Sequence, residues 1–134
     1  MDKPFLVDRD IEEGRQLLRA LDDADIPIAA AYWLYRIEKG RWRLVFAPTL
    51  DYEAAGGELV GIVHDLLRAG VAGDMTLDDV NIVSPLDPIA TGLNQLRGSR
   101  RPDEFRPTGA IVNGLSLDDA YIYRTRPLRA EAKA

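Results

Sequence analysis

The sequence predicts an α+β fold: a mostly antiparallel sheet of about five strands in the order α-β-β-α-β-α-β-β, with helices chiefly on one face. Three observations predict it. Two apolar, aromatic-rich runs, residues 28–37 and 42–47, are joined by the polar linker Glu38-Lys39-Gly40-Arg41, which is a hairpin pattern. Three other segments carry apolar residues at helical spacing. Near the end, two short apolar runs flank Asn113-Gly114, the strongest turn signal in the chain. Strands joined by hairpins run antiparallel, and helices between them pack as a layer on the sheet.

Residues 8 to about 23 read as the first helix, with Ile11, Leu17, Leu18, Leu21 and Ala24 along one stripe. Asp10 and Glu13 have capping-box spacing, with Asp10 in the N-cap role. Gly14 costs a helix interior up to about 1 kcal/mol relative to Ala, so it is read as marking a close helix–sheet contact. Pro27 stands at the entrance of the first strand, where a missing N–H matters least.

The hairpin at 28–47 holds both Trp, two of the five Tyr and one of the three Phe, so it is expected to carry the core. Its register has two solutions. A two-residue turn at Lys39-Gly40 sets Ile37 opposite Trp42 and gathers Trp33, Tyr35, Ile37, Trp42, Leu44 and Phe46 on one face. A three-residue loop with a glycine bulge sets Ile37 opposite Arg41 and moves Trp33 and Tyr35 to the other face, because a one-residue slip exchanges the faces. Gathering the aromatics favours the first. The second face, with Tyr32, Leu34, Arg36 and Arg43, is also rather apolar. The sheet is therefore covered on both sides, or it offers this face to a partner.

Pro48-Thr49-Leu50-Asp51 then breaks the strand and caps a helix of roughly residues 52–69, whose stripe is Leu59, Ile62, Val63, Leu66 and Leu67. Gly56-Gly57 weakens its start and Gly70 ends it. Residues 80–83 form a short strand. Asp87 caps a third helix with Pro88 at its first position, and Gly98 ends it. Strands at about 105–112 and 120–124 close the domain, taken as residues 1–124. The tail 125–134 is expected to be frayed or disordered, since its only large apolar residue is Leu128.

At 134 residues the chain suits one domain. It has no cysteine, which excludes disulfides, thiol nucleophiles and cysteine metal sites and fits a reducing cytoplasm. The N-terminus does not read as a signal peptide, and no apolar run approaches the roughly 18 residues of a membrane span. Net charge is −5, which disfavours general duplex binding. The charge is uneven: residues 1–96 hold 9 basic and 17 acidic side chains, residues 97–134 hold 8 and 5. A basic C-terminal third is able to meet an anion locally.

One pattern occurs three times: Leu21-Asp22-Asp23-Ala24-Asp25-Ile26, Leu77-Asp78-Asp79-Val80-Asn81-Ile82 and Leu117-Asp118-Asp119-Ala120-Tyr121-Ile122. Each precedes an expected strand. The plain reading is punctuation, in which the acids bond nearby backbone N–H groups. The sharper reading is a divalent-cation site in which the six aspartates converge, oxygen ligands being what Mg²⁺ and Ca²⁺ prefer. The spacing matches no EF-hand loop.

Arg97, Arg100, Arg101 and Arg106 form the densest basic cluster, and arginine forks suit phosphate and carboxylate. The cluster lacks Walker spacing and follows a helix end, the wrong pole for a dipole-bound phosphate. His64, the single histidine, lies off its helix's apolar stripe and reads as a surface residue. Ser84, Ser99 and Ser116 have no nucleophile-elbow context. The resulting expectation is a small, soluble, non-catalytic interaction domain without a cofactor. It would bind another protein or itself through Tyr32, Leu34, Arg36 and Arg43 on the sheet. The alternatives are a nucleic-acid or anion-binding module at Arg97–Arg106 and, behind it, a metal-dependent enzyme built on the Asp pairs.

Overall fold

A computed structural model describes residues 5–97 and 104–125. It is an α+β structure with four α-helices, a mixed four-stranded sheet and a separate two-stranded one. Helix α1 spans Asp8–Asp23 and buries Leu17, Leu18 and Leu21. Its N-cap is Val7, and Asp10 lies at the third helical position, not at the cap as expected. The Asp10 carboxylate reaches back and accepts the Val7 backbone N–H at 3.1 Å. Gly14 has the role foreseen for it: a Cβ there would collide with the Tyr123 hydroxyl. That hydroxyl donates to the Ile11 carbonyl (2.6 Å) and accepts from Trp33 Nε1 (2.9 Å), so it stitches helix to sheet.

Strands β1 (Ile28–Arg36) and β2 (Arg41–Pro48) pair antiparallel. Neither expected register holds. Tyr35 faces Trp42 and Arg36 faces Arg41, so Ile37–Gly40 form a four-residue loop, with Gly40 at φ +69° and Ile37 71% exposed. The ladder has slipped by two residues from the two-residue solution. An even slip keeps every side chain on its face, so Trp33, Trp42, Leu44 and Phe46 still pack in one core, with Tyr35 partly buried beside them.

The expected helix 52–69 is two: α2 (Leu50–Ala54), with the Thr49 hydroxyl accepting the Tyr52 N–H, and α3 (Leu59–Arg68). Gly56 at φ +82° separates them, a backbone state that glycine enters at little cost. A 3₁₀ turn at Leu77–Asp79 leads into β3 (Val80–Ile82), which pairs parallel to β2. Helix α4 (Pro88–Arg97) starts as expected: the Asp87 carboxylate accepts the N–H groups of Ile89 and Ala90 at 3.0 and 3.2 Å.

Strands β4 (Ile111–Val112) and β5 (Leu115–Ser116) form a small hairpin about Asn113-Gly114, both residues at positive φ. The longer strand expected at 105–112 does not form. Phe105 and Thr108 make isolated bridges to the last strand, β6 (Asp119–Thr125). Pro107 has no N–H to extend them, and Gly109 turns the chain at φ +65°. Strand β6 pairs antiparallel to β1 and includes Thr125, buried opposite Ala30; residues 126–134, most of the expected tail, lie outside the described residues.

The main sheet has the order β3-β2-β1-β6. It has four strands, not the five expected; two of its three pairings are antiparallel, and it is mixed because the link from β2 through α2 and α3 returns β3 parallel to β2 as a crossover. Helices are not confined to one face. α1 and α3 pack with Trp33, Leu44 and Phe46, while α4 and β4 pack with Tyr32, Val45 and Ile122 on the reverse. Strand β1 carries large apolar residues at both parities, so both sides need cover. Among the described residues no helix is long and apolar enough to cross a membrane.

A candidate anion site on the sheet

α4 covers only part of its face. Ile89, Ala90 and Leu93 sit in the core with Ala30, Tyr32, Val45 and Ala47. Toward the hairpin loop the same face continues into Leu34, Arg36, Arg41 and Arg43, set there by the pairs Leu34↔Arg43 and Arg36↔Arg41. Between the helix start and these arginines lies a cleft of about 240 Å³. Tyr32, Val45, Val83 and Ile89 line its apolar part. Lys39 from the loop, Asn81 from β3 and Asp87 from the helix cap complete the lining.

The arginines are held but not saturated. Arg41 reaches Asp78 (3.0 Å) and Asp79 (2.9 Å), Arg36 reaches Glu38 (2.8 Å), and Arg43 donates to the Val80 carbonyl (3.1 Å). The Nε atoms of all three are buried and find no acceptor among the described residues. A buried donor left without a partner costs about 1–3 kcal/mol. Arg36 and Arg41 are also directly opposed like charges, a destabilising cross-strand pair. Arg41 holds the Asp78 carboxyl below its ordinary range, chiefly through their hydrogen bond. Burial pushes the Tyr32 phenol well up, and the Asp87 carboxylate adds to this. Tyr32 is therefore a neutral hydroxyl at physiological pH.

The structure brings together Tyr32, Leu34, Arg36 and Arg43, the four residues singled out from the sequence as a partner surface. Arg106 lies elsewhere. It grips Asp119 with both ends of its fork (3.2 and 2.8 Å) and stacks over the Trp42 ring at 5.5 Å, on the side of α1 and α3. Arg97 ends α4, and Arg100 and Arg101 lie outside the described residues. His64 is exposed on α3.

The Asp pairs go to separate partners. Asp22 takes a bidentate contact from Arg124 (2.8 and 2.6 Å), and the exposed Asp23 ends α1 beside it. Asp78 and Asp79 take Arg41, and Asp79 also accepts the Thr76 N–H at 3.1 Å. Asp118 accepts the Ile37 N–H and Asp119 takes Arg106. No group of three or more His, Cys, Asp or Glu side chains able to hold a metal occurs among the described residues.

Sequence reasoning missed Arg41, Lys39, Asn81 and Asp87 as part of the cleft. The available signal was Arg41-x-Arg43 beside Arg36: alternate arginines on paired strands share a face once the register is known. The cleft lining holds no serine, threonine or histidine. What it offers is charge, one neutral hydroxyl and an apolar wall.

No protein-family model, no curated protein and no solved structure matches this chain.

Proposed function

We propose that the chain is a binding module that recognises an anion in the cleft between the β1–β2 hairpin and the start of α4. One observation carries this reading. Three arginines converge on a cleft with their buried Nε–H groups lacking acceptors among the described residues. Residues retained at a cost to stability tend to serve a ligand. Guanidinium forks match phosphate and carboxylate oxygens. The role we assign is recognition, since what the lining supplies in number is cationic donors, from Arg36, Lys39, Arg41 and Arg43.

Docking of a protein on an apolar sheet face, the other reading the sequence suggested, has less to draw on. α1 and α3 cover one face and α4 covers the inner part of the other. The exposed remainder is cationic, not apolar.

Calorimetric titration with inorganic pyrophosphate tests the proposal. Binding should be measurable at low salt, weaken as salt is raised, and be lost in an Arg36→Gln, Arg43→Gln double variant that keeps the native circular-dichroism spectrum. Affinity unchanged in that variant would remove the cleft as the site.

A further inference from the structure

The cleft has a direction, and strand register sets it. On this face β1 presents Tyr32, Leu34 and Arg36 in turn. Beside them β2 presents Val45, Arg43 and Arg41, in the pairs Tyr32↔Val45, Leu34↔Arg43 and Arg36↔Arg41. Going outward from α4, the rows change from aromatic and aliphatic, to mixed, to doubly cationic. Lys39 adds a further charge at the outer end, from the loop itself. Ile89 closes the inner end.

The inner end holds little net charge for a ligand to meet. Its one acid, Asp87, has a carboxylate oxygen turned to the first amides of α4. Its phenol stays neutral, because burial opposes ionisation. At the outer end Arg41 is matched by Asp78 and Asp79, and Arg36 by the exposed Glu38. Arg43 donates only to a backbone carbonyl and has no carboxylate partner among the described residues. Of the three arginines Arg43 is thus the most open to an incoming anion, and Arg36, whose carboxylate partner is on the exposed Glu38, is next.

A bare inorganic anion would use the outer rows and leave Leu34 and Val83, the half-buried part of the apolar lining, in contact with water. A ligand that fills the whole cleft needs a charged head and an uncharged body. From Tyr32 to Arg36 the strand advances roughly 13 Å at its usual rise, and the cleft volume is about 240 Å³. That is room for one small molecule. A net charge of −5 on the chain disfavours a polyanion, while a singly or doubly charged small molecule is repelled far less.

We infer that the cleft takes a small amphipathic oxyanion, its carboxylate or phosphate head at Arg36 and Arg43 and its aromatic or aliphatic body against Leu34 and Val83, over the buried floor of Tyr32, Val45 and Ile89. This rests on the anion reading above and names the class of ligand. The apolar wall selects for the body and the arginines for the head.

Four probes test it on the native chain: phenyl phosphate against inorganic phosphate, and phenylacetate against acetate. Calorimetry should show each phenyl compound binding at least about tenfold tighter than its bare head group, the apolar area buried being the source of the gain. Whichever head binds better identifies the oxyanion preferred. Methyl NMR signals of Val45, Val83 and Ile89 should shift with the phenyl compounds and stay fixed with the bare ions. Equal affinities within each pair, with those methyls unmoved, would overturn the amphipathic class and leave anion binding intact. No binding of any of the four would overturn both.

Discussion

Under α1 and α3, Trp33, Leu44 and Phe46 are fully buried, and the polar atoms among them are answered: the Trp33 indole donates to Tyr123, and Tyr123 donates to Ile11. On the reverse of the same strands, beyond the reach of α4, three arginine stems lie packed with Nε–H groups unanswered. Adjacent residues of β1 and β2 supply both surfaces. Both faces hold a core, but on the reverse it gives way beyond α4 to arginines, where the proposed ligand would sit. Substitutions on the two faces should therefore divide into those that alter folding and those that alter binding.

The largest effect should come from Trp33→Ala, which empties a site under α1 and should cost about 3–5 kcal/mol in urea denaturation. Gly14→Ala comes next. Helix propensity would gain up to about 1 kcal/mol, but the collision with the Tyr123 hydroxyl should leave a net loss of about 2 kcal/mol. Adding Tyr123→Phe removes that hydroxyl, so the double variant should recover part of the loss; strict additivity would contradict the contact. On the opposite face the signs part. Arg43→Met should leave stability unchanged or raise it by up to about 1 kcal/mol, since an apolar side chain replaces a buried donor without a partner. The same variant should weaken anion binding at least about tenfold. A large loss of stability there would end the contrast between the faces.

The smallest effect concerns pH. Arg15 grips the Glu104 carboxylate at 3.1 and 2.8 Å and lowers its pKa, with Tyr121 also donating to it and burial opposing. A carboxyl depressed in the folded state adds stability above its unfolded value near 4.5, and that stability fades as pH falls through the lower folded value. Glu104→Gln should flatten the acid limb of a stability–pH curve by under about 1 kcal/mol, because solvent screens a pair this exposed.

Features decided by a few adjacent residues were legible in the sequence. Asp87-Pro88 starts α4 as expected, and Asn113-Gly114 turns as expected, because a cap or a tight turn depends on local hydrogen bonds and φ values. The grouping of Trp33 with Leu44 and Phe46 was legible because facing survives an even slip. The ladder itself was not, because Lys39-Gly40 and the observed four-residue loop differ only in how Ile37 and Glu38 are used. Half of the cleft was hidden with it. Tyr32, Leu34 and Arg36 could be placed on one face from alternation alone, and Arg43 joined them in the register that gathers the aromatics. Arg41 could not while it counted as linker, and Asn81 and Asp87 arrive from elements whose position depends on the β2–β3 crossover.

Strand β1 gains its second neighbour only from residues 119–125, some ninety positions later in the chain. During synthesis its outer edge, an apolar run rich in alanine and aromatics, has no partner until that segment emerges. Exposed edges of this kind recruit other chains. Cells making this protein therefore have reason to shield the nascent chain until the last strand docks, and any fragment ending before Asp119 keeps the adhesive edge for good.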